Sequence, residues 1–256
     1  LEHHPQAARA AGDPGIFVFQ WVGVHASAFI YSVAGATIWQ EGAARQINSF
    51  AVATKQIKYM DMARTLEFDY TDALEKATRF FWKLGYAGTS LRPLLKAMGI
   101  GEGSFYNKLK SMDHAYLECL KHYNATIGQR RGAAFFSAPT GRAGVRALFN
   151  EVLNCLDDPR TPSKVCLMAA SVTREVLAEP SLKKFIQHEM SKMSEAMIAR
   201  LKADQQAGLL PPNFDPATVV PIIITYLQGE WRMALVSYDR PQFEKQIDVF
   251  LTGLGL

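Results

Sequence analysis

The sequence predicts an all-α chain in two helical parts, and three observations carry that prediction. Apolar residues recur at helical spacing over most of the chain beyond residue 71. Capping residues and glycines punctuate these stripes where helices must begin and end. No sustained apolar–polar alternation, the mark of a half-buried strand, interrupts the second part. With 256 residues, 48% hydrophobic and 20% charged, the chain can bury a core and is excluded from the disordered class. A net charge of +4 permits nucleic-acid binding without demonstrating it.

Residues 1–61 read as an N-terminal extension or a tag-derived segment, since Leu1-Glu2-His3-His4 looks like tag sequence. The first methionine is Met60, so a native start is expected at Met60 or Met62. Between Pro14 and Gln40 there is no Asp, Glu, Lys or Arg. Ile16–Trp39 is therefore long enough to cross a bilayer as a helix. It also contains Gln20, Gly23, His25 and Gly35, and lacks a flanking basic cluster. The preferred reading is an extension packed on the main fold. The alternative is a membrane-anchored helical sensor or adaptor using residues 16–39.

The next part, 62–123, is the most legible. Leu74, Ala77, Phe81 and Leu84 form one stripe of a first helix that starts near Tyr70 or Thr71. Asp72 and Glu75 suit its N-terminal dipole, and Gly85 follows its last periodic residue. Thr89 and Ser90 offer an N-cap for a second helix, whose buried face is Leu91, Leu94, Leu95 and Met98. Pro93 falls in its first turn, where it is tolerated. Gly99 supplies the positive φ of a tight turn, and Ile100 plugs the space beneath it. Gly101–Leu109 makes a short third helix with Phe105 and Leu109 facing inward. Ser111 caps a fourth, expected to run from Met112 to about Gly128.

Two short helices joined by a glycine turn and preceded by a longer one form a helix-turn-helix plan. Its outward residues include Gly103, Ser104, Tyr106, Asn107 and Lys108. Gly103 and Ser104 are small enough for close approach to a duplex. Tyr106 and Lys108 can donate to phosphates, with Lys110 beside them, while Ser104 and Asn107 are candidates for base edges. Across residues 71–123 eight Lys/Arg stand against five Asp/Glu, a local excess of basic charge.

The run Gly85-Tyr86-x-x-Thr89-Ser90-Leu91, followed by Ala97-Met98-Gly99-Ile100-Gly101-x-Gly103-Ser104-Phe105-Tyr106-x-x-Leu109-x-Ser111, resembles the DNA-binding domain of the TetR family over roughly 50 residues. The resemblance implies that Thr89, Ser90 and Tyr106 contact phosphates. It also implies a repressor that binds a near-palindromic operator as a dimer and is released by a small-molecule inducer. The sequence departs from the family pattern at Glu102, Lys108, Met112 and Leu95.

Residues 124–256 read as a helical ligand-binding and dimerisation domain. Expected helices are Val145–Leu156, Ser163–Ala178, Ser181–Gln206, Pro216–Ser237 and Pro241–Leu254. The span 216–237 is apolar on too many sides for a surface helix. With 241–254 it resembles the family's dimerisation pair. A ligand pocket is expected inside the bundle, with Phe149, Leu153, Cys166, Met168, Ala170, Arg174, Met193, Tyr226 and Trp231 as candidates. Each has a plainer reading: the methionines as core filler, Cys119 and Cys166 as small buried groups, and Arg174 as the surface partner of Glu175 or Glu179. Cys119, Cys155 and Cys166 show no metal spacing and suit a reducing cytoplasm. No cofactor, metal site or catalytic constellation is expected; His114, Cys119 and His122 do not share one short arc of their helix.

Overall fold

The computed structural model describes residues 69–256, all of whose regular elements are helices. The expectations for residues 1–61, including the possible membrane span, lie outside the described residues. Among the described residues, no helix is long and apolar enough to cross a membrane.

Helix α1, Tyr70–Leu84, begins where its stripe suggests. The cap is Asp69, whose carboxylate accepts from the Thr71 and Asp72 amides at 2.9 and 3.2 Å. Gly85 ends the helix at φ 74°, with its ψ extended, so the chain leaves at once. Helix α2 is Leu91–Met98 and helix α3 is Glu102–Leu109. Gly99, left-handed at φ 71° and ψ 29°, returns two amide bonds to α2 and turns the chain into α3. Phe81, Leu94, Phe105 and Leu109 close the core beneath this turn, each at most 1% exposed.

Helix α4, Met112–Tyr123, is capped by the Ser111 hydroxyl, which accepts from the His114 amide at 3.1 Å. It does not stop near Gly128. A single π turn, Asn124–Gly128, leads without a break into α5, Gln129–Phe136. Helix α6, Gly141–Asp157, starts four residues before the expected Val145, because the Thr140 hydroxyl caps the Ala143 amide. The buried Asp204 carboxylate adds a bond to the Gly141 amide and an ion pair with Arg200.

The expected single helix Ser163–Ala178 is two short ones, α7 (Leu167–Ala170) and α8 (Arg174–Ala178). Its middle is Ser171-Val172-Thr173. The Ser171 hydroxyl turns back to the Leu167 carbonyl, and Thr173 caps the Val176 amide, which starts a new helix. The long helices α9 (Pro180–Gln206), α10 (Pro216–Val236) and α11 (Arg240–Gly253) match their expected spans to within one residue at each end.

Candidate DNA interface and ligand cavity

Helix α3 is held by its apolar side alone. Phe105 and Leu109 are buried, while Gly103, Tyr106, Asn107 and Lys108 are exposed and Ser104 is half-buried. No other part of the described chain covers that polar side. Thr89 donates its hydroxyl to the Gly85 carbonyl at 2.7 Å. Ser90 occupies the α2 N-cap position, exposed and without a side-chain bond to the helix. Its hydroxyl is thus available to a phosphate rather than spent on capping. Tyr86 donates to the Asp113 carboxylate, tying the loop before α2 to the first turn of α4. Burial and that carboxylate push the Tyr86 phenol up to about 12, so it stays a donor at any physiological pH.

Lys110 follows α3 in an unusual conformation. Its φ is 61° and its ψ −47°, and the Ser111 amide reaches the Leu109 carbonyl at 2.6 Å across it. This is a three-residue turn with a non-glycine residue at its apex, a geometry that carries backbone strain. The lysine is left exposed beside Lys108.

The second site is a half-open cavity of about 840 Å³ lined by α4, the π turn, α5, α6, α7, α9 and α10. Of the candidates read from sequence, Cys166, Met168, Met193 and Trp231 line it. The remainder stand elsewhere. Phe149 and Leu153 are fully buried core of α6. Tyr226 stacks on Phe250 at 3.9 Å between ring centroids, on another side of α10. Ala170 is half-buried off the cavity wall, and Arg174 is exposed on α8.

Among the cavity residues that were not anticipated, Arg131 stands out. Arg131 on α5 is 8% exposed and lines the cavity. Its guanidinium carbon lies 5.0 Å from the Trp231 ring centroid and 5.9 Å from that of Tyr123. Nη1 donates to Cys166 Sγ at 3.2 Å, and Nε has no partner. The sequence reading ended the fourth helix at Gly128 and never placed α5. The signal it left unused was Gln129–Phe136, an apolar run carrying two arginines.

The cavity wall is wired to the helix-turn-helix. The Trp82 indole of α1 donates to the Val165 carbonyl at 2.7 Å, and Tyr116 of α4 bonds Ser171 at 2.7 Å. Both bonds grip the segment that presents Cys166 and Met168 to the cavity. Cys119 is fully buried on α4, and burial pushes its thiol up to about 12, which leaves it unreactive. On α10, Glu230 is buried with neither carboxylate oxygen hydrogen-bonded, and burial raises its carboxyl from 4.5 to about 7. Among the described residues, no cluster of His, Cys, Asp and Glu is arranged to hold a metal ion.

No family model matches the chain. It is 27% identical over 199 residues to the uncharacterized HTH-type transcriptional regulator YezE of Bacillus subtilis (strain 168), covering 75% of this chain and all of that protein. It is 23% identical over 190 residues to the HTH-type transcriptional repressor ComR of Escherichia coli (strain K12), covering 74% of this chain and 89% of that one. Among solved structures, a cysteine mutant of the TetR family transcriptional regulator CifR superposes with a TM-score of 0.66 at 26% identity. That match covers 73% of this chain and 97% of CifR.

The chain is similar in sequence and in fold to TetR-family transcriptional regulators. The likeness is not confined to the helix-turn-helix, since each of these relatives is matched over most of its own length. The CifR structure was solved with 26-base-pair double-strand operator DNA. In this chain α2 and α3 have the helix-turn-helix arrangement, and α4 to α11 follow it as helices.

Proposed function

We propose that the chain is a dimeric repressor that binds a near-palindromic operator through α3 and leaves it when a small molecule fills the cavity. The observation that carries this reading is the state of α3: anchored by Phe105 and Leu109, with its polar side uncovered. A helix held this way fits the major groove, with Ser104 and Asn107 toward base edges and Ser90, Tyr106, Lys108 and Lys110 toward phosphates. That CifR was solved on operator DNA, and that ComR is described as a repressor, supports the same reading.

Dimerisation through 216–237 and 241–254 has its own support. Ile222, Met233 and Val236 share one exposed stripe of α10, and they are 42%, 58% and 79% exposed. On α11, Val249 is 68% exposed. Apolar surface of this kind on neighbouring helices calls for a second copy. A twofold pair sets two recognition helices roughly one turn of DNA apart, about 34 Å or somewhat more. Release requires only that the ligand prefer one of two arrangements of α4, with a coupling of about 1–3 kcal/mol.

The test is titration with DNA recovered by unbiased selection. Tyr106→Phe combined with Lys108→Ala should weaken binding uniformly across sequences, with the salt slope reduced by about 1. Asn107→Ala should instead relax preference at one position of the site, worth about 1–3 kcal/mol. Undiminished, sequence-specific binding by the first variant refutes the assignment of this surface.

A further inference from the structure

We propose that the cavity selects an organic anion, a carboxylic acid with an apolar body, whose charged group pairs with Arg131. This deepens the reading of the cavity as the effector site and rests on it. Arg131 keeps its charge under all conditions a protein meets, because guanidinium does not lose its proton. A buried charge normally has a countercharge, since its desolvation is otherwise uncompensated. Among the described ion pairs Arg131 has none. It faces two rings and the thiols of Cys166 and Cys155, with Nε unpartnered.

The other charged groups on the cavity wall are Lys121, Lys192 and a single carboxylate, Glu189. Glu189 already accepts from the Asn124 amide at 2.6 Å, and Lys121 is engaged by Glu118 at 2.8 Å. These balance, and the charge left over is the desolvated cation of Arg131. Met168, Met193 and Trp231 supply the apolar lining for the rest of the molecule. A carboxylate meets Arg in a charge-assisted contact that an amide of the same shape cannot make.

The experiment uses the full chain with two probes, decanoate and phenylbutyrate, each against its primary amide. Binding is followed by thermal shift and by tryptophan fluorescence. Both acids should raise Tm by about 2–4 °C near saturation. The amides should bind at least about tenfold more weakly. Arg131→Met should leave the ligand-free Tm equal or higher, because an unpaired buried charge is gone, and acid and amide should then bind alike. Arg131→Lys should keep the preference for acids in weakened form. Equal binding of acid and amide by the unaltered protein, no response to either acid, or a preference that survives Arg131→Met overturns the proposal. So does rapid alkylation of Cys166 by iodoacetamide that slows in Arg131→Met, since the countercharge would then be the protein's own thiolate.

Operator binding, measured in the same samples, separates this idea from its foundation. A chain that binds operator and is released by amides as well as by acids remains a ligand-controlled repressor and loses only the charge preference. One that prefers acids through Arg131 but binds no DNA fails the other way.

Discussion

Two residues carry conformational or charge penalties that make separable predictions. Lys110 sits at φ 61°, where glycine fits and lysine does not. Lys110→Gly should stabilise the fold by about 1 kcal/mol in denaturant melts while weakening operator binding. Lys110→Met should weaken operator binding with no such gain. If the glycine variant is not stabilised, the turn is unstrained. Glu230 is the second. Its folded pKa of about 7 lies above the ordinary 4.5, so the native state holds its proton more tightly than the unfolded chain. Stability contributed by the neutral carboxyl is whole below pH 4.5 and falls as pH rises towards 7. Glu230→Gln should therefore match the parent near pH 4.5 and exceed it at high pH by up to about 3 kcal/mol. A constant difference across that range refutes the burial account. Neither penalty was legible in the sequence. Lys110 was readable as a basic neighbour of Lys108 but not as a strained one, and Glu230 stands in an apolar helix with no visible sign of which side it faces.

At the scale of the element, boundaries written by local chemistry were legible and those written by packing were not. The caps at Ser111 and Gly99 and the stripe of α1 announce themselves through side chains whose bonding is local. The early start of α6 has a local cap, Thr140, that was readable and went unused, and a bond to the Gly141 amide from Asp204, 63 positions away, that was not readable. The break within 163–178 turns on whether Ser171 bonds outward or back to its own helix. Close contact of α5 with α6 is another feature set at long range, and it has a sharp consequence. A Cβ on Gly144 would come within 2.5 Å of the Phe135 carbonyl oxygen and 3.0 Å of its ring. Gly144→Ala should cost about 1–3 kcal/mol in equilibrium unfolding, the clash outweighing a helix-propensity gain of up to about 1 kcal/mol. A neutral or stabilising result shows that the two helices can part cheaply.

At the scale of the molecule, the all-α class, the helix-turn-helix and the outward side of α3 followed from the sequence. Most of the cavity wall did not: four candidates line it, while Phe149, Leu153, Ala170, Arg174 and Tyr226 do not. Periodicity finds buried residues, but core and cavity lining look alike until helices are placed against each other. The proposed dimer is tested at this scale. Met233 lies on the exposed stripe of α10, so Met233→Glu leaves the described core untouched. It should shift sedimentation from dimer to monomer and lower operator affinity by more than tenfold, since two half-sites no longer act together. A variant that stays dimeric places the seam elsewhere.

The π turn at Asn124–Gly128 also sets an angular offset for everything after it. Regular α-helix continued from Tyr123 would bring Arg130 and Ala134 round to the buried side, at about 100° per residue. The extra residue rotates the rod by one position, and Arg131 and Phe135 are buried in their place. Excising Ala125 should therefore let regular α-helix run through the turn with Arg131 and Phe135 still on the buried side, keeping both the distinction between acids and amides and the Tm. One alanine added after Gly128 instead turns the rod on by about 100°. It should swing Arg131 out to solvent, abolish the distinction between acids and amides, and lower Tm as Phe135 leaves its seat.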